Sequence, residues 1–174
     1  MAHRLITCSD APSMADFWTI FQALDDATAL VVGPAQIQPL AVLLHDCKGV
    51  VIGGLWGRTI YSWLMIEMLV VPPALRKQGV GSALMRRAER VACERGCIGM
   101  QVSTFDFQAK DFYEHLGFTV FGAQEDIPPG HTLLYLSKRL DPALSLPSEH
   151  DEAAQFSRRS MLLASSWMPP SAAA

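Results

Sequence analysis

The residues best placed to do chemistry follow an apolar run, in Leu69-Val70-Val71-Pro72-Pro73-Ala74-Leu75-Arg76-Lys77-Gln78-Gly79-Val80-Gly81-Ser82. Pro72-Pro73 stops a strand. Gly79 and Gly81 then remove side chains where the chain turns into a helix. The first amides of a helix have no intrahelical partner, and its dipole adds partial positive charge there. Such a turn suits an anion of pyrophosphate size, and Arg76 and Lys77 add two full charges. Two common nucleotide signatures do not fit: Gly79-Val80-Gly81-Ser82-Ala83-Leu84 lacks the third glycine of the dinucleotide fingerprint, and no P-loop run occurs. Other clusters are weaker. Cys93 and Cys97 stand four apart and His45-Asp46-Cys47 is compact, yet neither completes a four-ligand zinc set, so no metal is expected. Arg86, Arg87, Arg90 and Arg95 interleave with Glu89 and Glu94, the pattern of a solvated helix face rather than a nucleic-acid surface.

These residues need elements to position them. Asp10 or Ser13 can cap a first helix running to about Thr28, with Phe17, Ile20, Phe21 and Leu24 on one stripe. Leu40–Leu44 and Val50–Ile60 read as a hairpin, and Tyr61–Val71 as a third strand. Strict alternation in that strand puts Met65, Glu67, Leu69 and Val71 on one face. From Gly79 to Arg95 a helix shows Val80, Leu84, Ala88, Val91 and Ala92 on one side, with Gly96 placed to end it. A strand at Ile98–Thr104, a short helix at Gln108–Leu116 and strands at Phe118–Phe121 and Thr132–Leu136 complete the string α, β, β, β, α, β, α, β, β, a mixed α/β pattern.

Composition bounds the function. Half of the 174 residues are hydrophobic and the formal charge is −3, which excludes a disordered chain and argues against nucleic acid as the partner. The most apolar stretch, Trp63–Leu75, is broken by Glu67 and two prolines and is far short of the ~20 residues of a membrane span. Cys8, Cys47, Cys93 and Cys97 contain no Cys-x-x-Cys pair and read as reduced thiols, so a cytoplasmic location is expected. Residues 141–174 are rich in Ser, Ala and Pro and read as a tail, flexible or carrying a docking helix over Ala153–Trp167. Residues 1–140 form the expected domain.

Three motifs in order carry a resemblance. Arg76-Lys77-Gln78-Gly79-Val80-Gly81 resembles the acyl-CoA signature R/Q-x-x-G-x-G/A of the GNAT superfamily of N-acetyltransferases. Leu69-Val70-Val71-Pro72-Pro73-Ala74-Leu75-Arg76 resembles that family's L-x-V-x-P-x-x-R lead-in, and Phe112-Tyr113-Glu114-His115-Leu116-Gly117-Phe118 its F/L-Y-x-x-x-G-F segment. The resemblance implies a mostly antiparallel sheet of six to seven strands, flanked by helices and splayed between the fourth and fifth strands. It implies that acetyl-CoA is the acyl donor. Its pantetheine would pair with the backbone of Leu69, Val70 and Val71, and its pyrophosphate would take the amides of Gln78, Gly79, Val80, Gly81 and Ser82 beside Arg76 and Lys77. Tyr113 would protonate the leaving thiolate. The family often carries Asn where this chain has Asp106, and Gln108 is the substitute amide.

Acetyl transfer needs a neutral amine, whereas an alkylammonium titrates near ~10.4, so a base is required. Glu67 is the candidate: it is the one charged residue of its apolar strand, where burial would raise its pKa. The acceptor side is drawn from Trp56, Tyr61, Trp63, Glu125, Asp126 and His131, with Gln124-Glu125-Asp126 able to attract a cationic amine. The resulting expectation is direct transfer from acetyl-CoA to a primary amine of a small molecule or protein, within a ternary complex. Family habit also implies a homodimer. The competing expectation is a non-catalytic acyl-CoA sensor, which would have no need of Tyr113 or Glu67.

Overall fold

The computed structural model describes residues 6–141. The tail expected over 141–174, flexible or with a docking helix, lies outside the described residues from 142 onward.

The element order matches the string read from the sequence. Helix α1 spans Met14–Val32, and strands β1 (Gln38–His45), β2 (Val51–Ile60) and β3 (Trp63–Val70) follow. A short 3-10 turn leads into α2 (Val80–Glu94), then β4 (Gly99–Phe105), α3 (Lys110–His115), β5 (Thr119–Glu125) and β6 (Thr132–Arg139). The six strands form one sheet in the order β1-β2-β3-β4-β6-β5. Every neighbouring pair is antiparallel except β3 and β4, which run parallel because α2 crosses between them.

Helix α2 supplies the apolar side that covers this sheet. Met85, Ala88 and Ala92 are buried against Leu40, Leu55, Leu64, Ile66, Met100, Val102 and Leu136 of the strands. Its last turn is fastened by Arg95, whose guanidinium donates to the carbonyls of Gln38 (3.2 Å) and Pro39 (3.1 Å). At the other end of the sheet, Lys138 of β6 pairs with Glu89 of α2 at 2.8 Å. The middle of the molecule is thereby fixed, which leaves the ends of β3 and β4 to be shaped by their own residues.

Helix α1 begins where Ser13 forms a capping box: its hydroxyl accepts from the Asp16 amide (3.1 Å) and the Asp16 carboxylate accepts from the Ser13 amide (3.0 Å). It runs past the expected Thr28 to Val32, stopped by Gly33 at φ 80°. Its apolar stripe does not enter the core. No α1 residue is buried, and Phe17, Trp18 and Phe21 pack on one another instead, at centroid separations of 5.3–5.9 Å. Among the described residues no helix is long and apolar enough to cross a membrane.

The consequential irregularity lies in β3. Ile66 faces Gly57 and Met68 faces Trp56, so Glu67 is an extra residue opposite nothing. This bulge shifts the phase of the strand. Leu69 then pairs with buried Leu55, on the same side as Leu64 and Ile66, while Met68 joins exposed Trp56 on the other side. The strict alternation that put Glu67, Leu69 and Val71 on one face is therefore overturned by one inserted position.

Candidate functional site

The β3–β4 ladder closes only over Trp63↔Gly99, Leu64↔Met100, Met65↔Gln101 and Ile66↔Val102. It ends at the bulge, and Glu67–Val71 leaves Ser103–Phe105 unpaired along that edge. The gap is a cleft of about 820 Å³. One wall is Ile66 to Val71, the other Val102, Ser103 and Thr104, and the floor is Phe112 and Tyr113 of α3. Arg76, Lys77, Gly79, Gly81 and Ser82 close one end. Unpaired strand edges present N–H and C=O groups in a row, so a ligand with amides can be held as a strand is held.

The end of the cleft at α2 is a glycine turn that carries Arg76 and Lys77. Gly79, the residue before the helix, is left-handed at φ 82°, and Lys77 is left-handed at φ 59°. Lys77 is not glycine, and that conformation costs about 1–2 kcal/mol. The turn is braced from within: the Arg76 Nε donates to the Val71 carbonyl (3.0 Å) and the Gln78 Nε2 to the Ala74 carbonyl (2.7 Å). Val80, the first residue of the helix, is buried. Gly81 is small for a reason of its own. A Cβ there would stand 3.2 Å from the Phe112 ring and 3.7 Å from a Val71 methyl, so the glycine lets α2 approach the cleft floor.

Tyr113 is 5% exposed and stacks edge-on against Phe112 (5.2 Å) and Phe118 (5.8 Å). It belongs to the core and lines the cleft at once. Burial pushes its phenol up to about 12, because a phenolate loses hydration there. Near neutral pH it is therefore a hydrogen-bond donor. Gln108 also lines the cleft, with its Oε1 engaged by the Phe105 amide (3.2 Å) and the Thr104 hydroxyl (3.3 Å). Those contacts fix the amide orientation and leave its NH2 as the end with donors to spare.

Glu67 lines the cleft but is exposed, because the bulge that frees it also lifts it out of the apolar ladder. The burial expected of it is absent. Its Oε1 makes an ion pair with Arg58 of β2. Asp106 braces a loop: its carboxylate accepts from the Thr132 amide (3.2 Å) and meets His131 Nδ1 at 3.2 Å. His131 in turn lies edge-on to Phe107, a cleft residue, at 4.6 Å.

The cleft thus gathers Glu67, Leu69, Val70, Val71, Arg76, Lys77, Gly79, Gly81, Ser82, Gln108 and Tyr113 from the expected set. It does not gather the acceptor candidates. Trp56 stands opposite cleft residue Met68, and His131 packs on cleft residue Phe107. Tyr61 lines a separate hollow with Gln36 and Arg95, at the turn between β2 and β3. Trp63 stacks over Gly99 and under Arg139 (5.4 Å) at the closed end of the seam, about 13 Å along β3 from Glu67. Glu125 is exposed at the end of β5, and Asp126 spends an oxygen on the Gly130 amide (2.9 Å). Residue type put these positions among the acceptor candidates, but type carries no information about distance. Phe112 was quoted only inside the recognised motif, and Arg58 only within Trp56-Gly57-Arg58 as a run able to line the opening; its pairing with Glu67 becomes visible only through the register of β2 with β3.

The described residues contain no group of three or more His, Cys, Asp or Glu side chains arranged to hold a metal ion.

Comparison with known proteins agrees with this geometry. The profile of the acetyltransferase (GNAT) family matches residues 11–118. The blasticidin-S acetyltransferase of Streptomyces morookaense is 44% identical over 109 residues, covering 60% of this chain and 80% of the relative. A crystal structure of a presumed acetyltransferase from Agrobacterium tumefaciens superposes with a TM-score of 0.74 at 30% identity, over 79% of this chain and 100% of that one. An acetyltransferase from Bacillus cereus superposes with a TM-score of 0.69 at 26% identity, over 77% of this chain and 98% of that one.

Proposed function

The chain belongs to the acetyltransferase (GNAT) family, and on that premise we propose that it moves an acetyl group directly from acetyl-CoA to a primary amine of a small molecule, with both substrates bound together. The observation that carries this reading is the coincidence of three features in one cleft: unpaired β3 backbone, a cationic glycine turn at a helix start, and a buried neutral phenol. A small-molecule acceptor is favoured by the name of the 44% identical relative, which acts on blasticidin S.

Acetyl-CoA supplies the activated acyl group. Leu69, Val70 and Val71 offer backbone groups to its pantetheine, while Arg76, Lys77 and the amides from Gln78 to Ser82 hold its pyrophosphate. Gln108 offers its NH2 to a pantetheine carbonyl. The strand amides near Leu69 and Val70 also serve the thioester oxygen as negative charge grows on it. Glu67 takes a proton from the acceptor nitrogen, directly or through water, as the C–N bond forms and the C–S bond breaks. Tyr113 holds its O–H toward the departing sulfur. A thiol titrates near ~8.5, so full transfer from a phenol at about 12 runs uphill. Tyr113 therefore stabilises the thiolate by hydrogen bonding, and the proton that finally sits on sulfur balances the one lost by the amine. No acyl-enzyme is needed.

A panel of primary amines, followed by thiol release and by a 42-dalton mass gain (about the mass of one acetyl group less a proton) on the acceptor, tests this. Turnover of any member supports it. Tight acetyl-CoA binding with no acceptor across a broad panel, peptides and polyamines included, would favour a coenzyme sensor instead.

A further inference from the structure

The ion pair at the bulge is only half used. Arg58 and Glu67 meet through one nitrogen and one oxygen, and their side chains are 51% and 34% exposed. A guanidinium has five N–H donors and a carboxylate two oxygens. Neither residue makes another hydrogen bond or ion pair with the described residues, so Arg58 keeps donors and Glu67 keeps Oε2 available. Glu67 lines the cleft, whereas Arg58 stands just outside it, on β2 opposite Met65. Two positions before Arg58, on the same face of β2, Trp56 exposes 46% of its surface and sits across from cleft residue Met68. One carboxylate, one guanidinium and one aromatic wall therefore lie together on the outer face of β2 and β3, at the rim of the open seam.

We propose that this pair selects the acceptor: the substrate is a zwitterion, a primary amine that also carries a carboxylate. The inference rests on the acetyl-transfer reading above. The acceptor's ammonium meets Glu67, which then takes its proton, and the acceptor's carboxylate takes the planar donor fork of Arg58. A purely cationic acceptor fits less well, because engaging Glu67 would leave the guanidinium beside it uncompensated. Arg58 is thus a specificity-determining residue, and Trp56 covers the acceptor's apolar body.

The test is a matched series. α-Amino acids and ω-amino acids are compared with their neutral primary amides as acceptors, by kcat/KM from thiol release. The carboxylate forms are expected to lead their amides by about tenfold or more for the best-fitting length, as for a hydrogen bond to a charged group. That ratio should collapse toward unity in Arg58→Gln and be partly kept in Arg58→Lys, which retains the charge but not the fork. Circular dichroism and coenzyme affinity verify that each variant is folded. Amides acetylated as well as their acids by the native protein would overturn the zwitterion assignment while leaving acetyl transfer intact. A ratio that survives Arg58→Gln would overturn the role of Arg58. Bound acetyl-CoA with no member of the series acetylated would overturn the zwitterion assignment, and the transferase reading falls with it only where the broad amine panel above is inert as well.

Discussion

Two halves of one seam differ sharply. From Trp63 to Ile66, β3 is laddered to Gly99–Val102 of β4, and Leu64 and Met100 are fully buried beneath α2. From Glu67 to Val71 the same strand has no partner on that side and forms the wall of the cleft. One inserted residue separates the halves. The closed half is an ordinary apolar ladder, paired with β2 on one side and β4 on the other. The open half keeps its backbone groups for something else, and the ion pair, the buried phenol and the glycine turn are arranged around it. Stability and chemistry are thus assigned to adjacent stretches of a single strand, with the bulge as the boundary.

This division can be broken from either side. Leu64→Ala, in the closed half, should lower unfolding free energy by about 2–5 kcal/mol, since it leaves a cavity where nothing can collapse. Urea unfolding monitored by circular dichroism measures this. Should it cost under about 1 kcal/mol, the closed half is not the structural anchor. Tyr113→Phe, on the floor of the open half, should reduce kcat by between about tenfold and 100-fold, the worth of a hydrogen bond to a charged group. Its coenzyme affinity should change less than about twofold. The same substitution has a signature in stability. Burial raises the phenol to about 12 from its ordinary 10, so the native state holds a proton that the unfolded chain releases. The associated stabilisation is complete below pH 10 and is lost as pH rises from 10 toward 12. Melting temperature should fall across that window in the native protein and fall less in Tyr113→Phe. The smallest effect is expected at the glycine turn. Lys77→Gln should weaken coenzyme binding by about threefold to tenfold at low salt, and by less as ionic strength screens the contact. Titration calorimetry at two salt concentrations checks both parts.

The same boundary marks where the sequence could be read and where it could not. The nine helices and strands of the described residues were legible in order, because apolar periodicity and the Gly and Pro punctuation are local properties. So were the phosphate-type turn and Tyr113, which lie in contiguous motifs. The face of Glu67 was not legible. It depends on which β2 residue each β3 residue meets, and the slip between Trp56 and Gly57 is a property of the pair of strands. The partnership of Glu67 with Arg58 was hidden for the same reason. The α1 stripe misled in the opposite direction: Phe17, Ile20 and Leu24 have helical spacing, yet they are 50%, 70% and 66% exposed, because periodicity specifies a face and not what covers it. Gly81 shows a further ambiguity. Its smallness reads as room for a ligand, but the Phe112 ring 3.2 Å from a notional Cβ means that a bulky substitution there would disturb packing as well as binding.

For that reason the decisive measurement leaves the sequence intact. Hydrogen–deuterium exchange of the native protein, with and without acetyl-CoA, reads the backbone groups directly. Amides in Leu69–Val71 and in Gln78–Ser82 should become strongly protected on binding, while those of Trp63–Ile66, already bonded to β4, should change little. Saturating coenzyme that leaves Leu69–Val71 exchanging as fast as before would contradict the assignment of the open seam to the acyl donor.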